Sequence, residues 1–322
     1  MEKREIKFHL PGLRYNYPLN MFWVSMLEEY PEFFREGVKI ASFFGEFPTS
    51  LWNGGRFSGG DQCDARFINE VVRGANSKGI PIRYTYTNPS LTEADLKDEY
   101  CNYCMKVADN GMNEVLVVSP ILEEYIRKNY PGYKVNSSTC KAIKDIDELN
   151  EETRKDYYLV VLDQNRNNQF DFIEKIENKD KIEILVNSCC IPNCPKQAEH
   201  YEIIAKQERV ELENRKLPPQ LRRPIPEWTC VCGYRKTPYT RKGHSNVIPS
   251  EALWDIYVPM GFTNFKLEGR TASWFSLMDT YCDYMIKPEY KDEARFTLVT
   301  RLQSSGFIRV MTPPPTPFVL PK

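Results

Sequence analysis

The stretch NSCCIPNCPKQAEHY, residues 187–201, holds three cysteines, two prolines and a histidine. Cys190 and Cys194 stand four apart around an Ile-Pro-Asn turn, and Pro195 follows the last thiol. Upstream, KIEIL reads as a buried strand; downstream, AEHYEIIAKQERVELENRK reads as a long charged helix. Thiolates suit a loop that opens a helix, because the unsatisfied backbone N–H groups there stabilise negative charge. Further on, TCVCGY adds Cys230 and Cys232. Four thiols satisfy either a structural zinc or an iron–sulfur cluster. The competing reading is a set of reduced packing cysteines. Cys101 and Cys104 form a C-x-x-C, but they fall in a helical pattern with Leu96, Tyr100, Val107 and Ala108. A free cysteine there behaves as a small hydrophobe. Cys63, Cys140 and Cys282 lie among apolar neighbours or at segment ends and are read the same way.

A second group is charged. In FKLEGR, residues 265–270, strand alternation sends Lys266, Glu268 and Arg270 to one side and Phe265 and Leu267 to the other. Three charges on one inner face are costly unless they pair or meet a ligand. The expectation is an interior Lys266–Glu268 pair, with Arg270 free to grip a carboxylate or phosphate through its bidentate fork. Glu46 and Arg56 lie in FFGEFPTSLWNGGRFSGG, whose paired glycines allow close backbone approach to a ligand. Asp163, Asn165 and Arg166 end VVLDQNR, a polar set able to bind substrate or to serve as turn and cap residues. Lys266, Glu268, Arg270 and Asp163 are therefore the catalytic candidates. Glu46, Arg56, Asn165 and Asn187 are the candidates for substrate binding. No Ser-His-Asp or Cys-His pair stands at readable spacing, and His9 and His244 have no evident partners.

These residues need a frame to bring them together. Apolar runs occur at VKIASFF, IPIRYTYT, EVLVVSP, YKVNSS, YYLVVLD and KIEILVN, with a weaker one at SNVIP and a last one at FTNFKLEG. Most are apolar through consecutive positions, as when both faces of a parallel sheet are covered. Helical patterns separate them, several stopping at glycine, as at Gly79 and Gly111. Eight strand–helix units predict a TIM-type (β/α)8 barrel over residues 1–310. The rival doubly wound sheet lacks a G-x-G-x-x-G after its first strand. The charged helix and LPPQLRRPIPEW, at about 196–228, form an insertion after the sixth strand, lying across one barrel face. The proline-rich residues 311–322 predict an extended tail. In this frame the thiols sit at the C-terminal end of a strand, where barrel active sites are built.

Composition narrows the classes. Over 322 residues, 43 basic and 44 acidic side chains give a net charge of -1, which argues against a dedicated DNA-binding stripe. A local patch could still hold RNA. No apolar run approaches the roughly 20 residues of a membrane span. The N-terminus, MEKREIKFHLPG, is charged and lacks the apolar core of a signal peptide. The expectation is a cytoplasmic protein whose ten cysteines are reduced or bind a metal.

ILVNSCCIPNCPKQAEHY, with FKLEGR and the GGR of residues 54–56, resembles the collagenase-like peptidase family of unknown catalytic type. That family includes oxygen-independent hydroxylases acting on tRNA, ribosomal RNA and ubiquinone precursors. The likeness spans most of the chain as a barrel rhythm, and its specific part is these three motifs. The resemblance implies a 4Fe–4S cluster held by Cys190, Cys194 and Cys230, with Cys232 or Cys189 as fourth ligand and zinc as the alternative metal. The hydroxylases' cysteine spacing is not reproduced residue by residue. His200, matching the family's HY, would orient the loop by hydrogen bonding. The resemblance further implies an electron-donor protein and, since some relatives work as pairs, a related barrel subunit. The expected function is oxygen-independent hydroxylation, or a related redox modification, of an RNA base or small molecule. The alternatives are a peptidase and a metal-stapled barrel that binds a partner protein.

Overall fold

The computed structural model describes residues 4–54, 63–228, 243–270 and 272–309. Arg56, Cys230, Cys232 and the tail of residues 311–322 lie outside the described residues. Eight parallel strands close into a barrel in sequence order. They are β1 Ile6–Pro11, β2 Val38–Gly45, β3 Ile82–Tyr86, β4 Glu114–Val117, β5 Lys134–Ser137, β6 Val160–Val161, β7 Ile182–Leu185 and β8 Asn264–Lys266. Closure runs through β1 and β8, where Lys7 pairs with Asn264 and His9 with Lys266. The fold is a TIM-type (β/α)8 barrel.

The strand number agrees with the sequence pattern, but its membership differs at two places. The chain's first strand is IKFHLP, ahead of VKIASFF, and its alternation of Lys7 and His9 with apolar neighbours hides it from a search for continuous apolar runs. SNVIP is no barrel strand: Val247 makes only an isolated antiparallel bridge to Asn187. The insertion helix therefore follows the seventh strand, not the sixth.

Helices α1 Tyr17–Glu29, α2 Ala65–Ser77, α3 Glu99–Val107, α4 Pro120–Asn129, α5 Ile146–Arg154 and α6 Phe170–Ile173 fill the crossovers, and Trp274–Met285 and Lys291–Ser304 follow β8. Helix α2 shows why these segments form. Asp64 caps its first turn by accepting from the Phe67 N–H, and Ile68, Val71, Val72 and Ala75 bury one face at helical spacing. Beyond its end, Gly79 takes φ +70°, where a side chain would be strained. Outward-facing strand residues such as Phe8, Ile82, Ile184 and Phe265 are buried beneath the helices. Each such side chain contributes about 1.5–3 kcal/mol by leaving water. The barrel interior, by contrast, is charged.

Candidate active site

Arg83, on β3, is fully buried at the centre of the barrel. Its Nε lies 2.6 Å from Glu114 on β4, and a terminal nitrogen donates to Glu183 on β7. The other terminal nitrogen is 3.0 Å from His9 Nδ1, which also meets the Ser42 hydroxyl at 2.8 Å. His9 Nε2 and Lys266 Nζ each stand 3.3 Å from Glu183. Asn136 donates to Glu114 at 3.1 Å. Burying a charge costs several kcal/mol unless it is paired, and here two cations meet two carboxylates. Burial, with Arg83 beside it, lowers the His9 pKa to about 3, so the imidazole is neutral. Burial works to raise Glu183, but Arg83 and Lys266 overcome it and hold the carboxyl well below its usual range. Burial also lowers Lys266, partly offset by Glu183.

This network corrects two expectations. His9 meets Ser42, Arg83 and Glu183 rather than lacking partners. Lys266 pairs with Glu183 and lies 4.3 Å from the centre of the Phe44 ring, not against Glu268. The reason is strand geometry: residues two apart on one face stand nearly 7 Å apart, whereas neighbouring strands bring side chains closer.

Above this floor is the C-terminal mouth. Glu46, just beyond β2, accepts on Oε2 from the Thr85 hydroxyl and from Arg270. Arg270 also donates to Thr85 at 2.8 Å. The guanidinium expected to be free is thus engaged, because the carboxylate at the end of β2 reaches it first. Glu268 is held by the cysteine loop: the Cys189 N–H donates to it at 2.6 Å and the Cys189 thiol at 2.7 Å. Asn187 exchanges hydrogen bonds with the Glu268 backbone at 2.6 and 3.1 Å, so its side chain extends the β7–β8 pairing beyond the last strand residue.

The loop is clipped from below. Asp163 accepts from the backbone and side-chain N–H groups of Asn165, both at 2.9 Å. Asn165 in turn accepts from the Asn193 N–H at 2.7 Å, and Asn193 has φ +52°. Asn246 donates to the Cys190 carbonyl at 3.0 Å. Asp163 and Asn165 therefore shape the thiol loop, and Asp163 Oδ2 is buried with no hydrogen-bond partner among the described residues. Cys189, Cys190 and Cys194 are half-buried. A hydrogen bond with Cys190, burial and Glu268 push the Cys189 thiol well up. Cys101, Cys104 and Cys282 are buried, and burial pushes the Cys282 thiol up to about 12. His200 stacks on Trp228 with ring centres 5.4 Å apart. Among the described residues, no group of three or more His, Cys, Asp or Glu side chains is arranged to hold a metal ion.

A roof completes the mouth. Helix α7, Gln197–Arg215, starts where Gln197 meets Asn165 beyond β6. At about 1.5 Å per residue it advances roughly 16 Å by Glu208. There Glu208 comes within electrostatic reach of Glu46 at the end of β2, the strand opposite β6 in the ring. Burial, with Glu211 and Glu46 nearby, raises the Glu208 pKa to about 7. Arg83, Glu114, Glu183 and Glu208 were not among the sequence candidates. A lone charge inside an apolar run, as in IPIRYTYT and KIEIL, was the available signal for two of them. Glu208 gives no such signal within a uniformly charged helix.

No family model matches the chain. Over 109 residues it is 30% identical to a Methanocaldococcus jannaschii protein named an uncharacterized protease. The match covers 33% of this chain, and the chain spans only about a third (32%) of the relative's length. The structure of the U32 peptidase Mk0906 overlays at a TM-score of 0.49 with 13% identity, covering 85% of this chain and 96% of that one. Among the described residues, no helix is long and apolar enough to cross a membrane.

Proposed function

We propose that this chain is a barrel-mouth enzyme whose cysteine loop holds an iron–sulfur cluster. Its reaction is an oxygen-independent redox modification, such as hydroxylation, of an RNA base or small molecule. The observation that carries the reading is that Cys189, Cys190 and Cys194, each half-buried, share one loop above a charged barrel floor. The donor chemistry fits, since thiolates are the ligands such clusters take. Cys190 and Cys194 would hold the cluster with Cys230 and a fourth thiol. Cys189 suits that place less well than Cys232, because Glu268 already takes its proton-bearing sulfur. Once bound, the cluster supplies electron transfer or an open iron site. The chain's own residues shape the mouth: Arg270 with Glu46 fixes one wall, Glu268 orients the loop, and α7 limits access of water. An electron-donor protein and a related barrel subunit are the partners this reading requires or accommodates.

A second reading, peptide hydrolysis, draws on the relative's name and on Glu208, a buried carboxyl titrating near neutrality that could accept a proton from water. Anaerobic purification separates the two. The first reading expects brown protein with iron and acid-labile sulfide in equal amounts. Colourless protein that cleaves gelatin supports the second, and colourless zinc protein without activity supports a metal staple.

A further inference from the structure

The roof and the wall of the mouth each present a buried carboxyl with unused capacity. Glu46 is 1% exposed; its Oε2 takes Thr85 and Arg270, while Oε1 is buried with no hydrogen-bond partner among the described residues. Glu208, on α7, is 5% exposed and lies within electrostatic reach of Glu46. The roof is anchored beside it, since Arg209 clamps Asp95 through both terminal nitrogens and reaches the Ser90 carbonyl at 3.2 Å. Among the described residues, the charged groups around Glu208 are Glu211 and Arg215 on its own helix and Glu46, with its Arg270, on the barrel wall. Among the described residues three carboxyls thus face two guanidinium groups. A desolvated carboxyl without a counter-charge holds either a proton or a cation.

We propose that the space between Glu46 and Glu208 is a subsite for a positively charged group of the substrate, a primary amine or a guanidinium. An N–H donor from such a group satisfies Glu46 Oε1 and compensates the Glu208 charge. In its absence a proton does so, as burial with Glu211 and Glu46 nearby favours. Binding then expels that proton. The inference rests on the mouth being the substrate site, but not on the thiols' holding a cluster.

The test is calorimetric titration of the full chain, purified without air, with n-butylamine, spermidine and argininamide at low salt. Affinity should rise about tenfold from pH 6 to pH 8, following the deprotonated fraction of a group titrating near 7. Repeating the titration at pH 6 in buffers of different ionisation enthalpy should reveal proton release. Glu208→Gln is isosteric with the protonated acid, so it should fold, bind the probe more weakly and lose both pH dependence and proton release. Glu202→Gln, on the exposed side of the same helix, should change nothing. Iron content is measured on the same Glu208→Gln protein and should match wild type, so loss of the cluster and loss of this subsite are read separately. Failure of all three amines to bind at pH 8, or binding that Glu208→Gln leaves unchanged, overturns the proposal.

Discussion

Arg209 and Asp95 join the roof helix to the loop beyond β3 by a two-pronged ion pair, with N–O distances of 2.8 and 2.9 Å. The pair ties an element inserted after β7 to the opposite half of the barrel. Arg209 holds the Asp95 carboxyl down to about 2, with the backbone and hydroxyl of Thr92 helping.

Asp95→Asn should therefore loosen the roof. The pair is partly buried, so a cost of about 1–2 kcal/mol is expected, between that of an exposed and a buried pair. Faster amide hydrogen exchange along α7, with the barrel strands unchanged, checks it. The sign with pH follows from a depressed acid. The contribution is complete above the ordinary carboxylate pKa near 4 and is lost as pH falls through about 2. A roof equally protected in the variant would show that the clamp does not hold it.

The interior network predicts a different pH response. His9 is neutral when folded, with a pKa of about 3, and titrates near 6.5 when unfolded. Between those values the unfolded chain binds the extra proton, so stability falls as pH decreases from 6.5 toward 3. The slope should approach roughly 1 kcal/mol per pH unit. Urea unfolding of wild type and His9→Gln at pH 5 and pH 7 measures it. An identical pH dependence in the two proteins would contradict this assignment of the proton.

Glu183→Gln removes the carboxylate shared by Arg83, His9 and Lys266. Two buried cations are left facing one remaining carboxylate, Glu114, and breaking such a pair costs about 3–5 kcal/mol. The measurable outcome is a large drop in the urea midpoint. A loss below 1 kcal/mol would mean that water reaches the barrel interior.

The cysteine loop makes a compositional prediction. Cys190→Ala and Cys194→Ala should each lose iron and colour in anaerobically purified protein, because each removes a thiolate that water does not replace at similar affinity. Cys101→Ala, buried on α3, should retain both. Iron lost from Cys101→Ala but kept in the loop variants would reverse the ligand assignment.

The barrel was legible because parallel strands covered on both faces make continuous apolar runs, and β2 to β7 and β8 announced themselves that way. The strand that was missed, β1, carries His9 toward the interior, and the residue that lets it join the charged floor also breaks its apolar run. The placement of the thiols at a strand end was legible from KIEIL followed by a turn. Partner choice was not. Lys266 and Glu268 are neighbours in sequence alternation, yet Glu183 and Cys189, drawn from another strand and its loop, take their charges. Register across strands decides such pairs, and a single strand's sequence does not contain it.

Arg270, Thr85 and Glu46 offer the sharpest test of the mouth's geometry. The Thr85 hydroxyl donates to Glu46 and accepts from Arg270 at 2.8 Å, while Arg270 also binds Glu46 directly. Three groups from the ends of β2, β3 and β8 thus close a triangle. Arg270→Lys keeps the charge but moves the single nitrogen that makes both bonds onto a shorter stem, so it should lose one side of the triangle at a cost of about 1–2 kcal/mol. Thr85→Val removes the central hydroxyl and leaves Glu46 with one donor fewer, at a similar cost. Because both changes break the Thr85–Arg270 bond, the double variant should be less destabilised than the sum, with a coupling of roughly 0.5–3 kcal/mol. Urea unfolding of the four proteins gives that coupling directly. Strictly additive losses would mean that Arg270 and Thr85 hold Glu46 independently, and that the wall of the mouth is not the single unit described above.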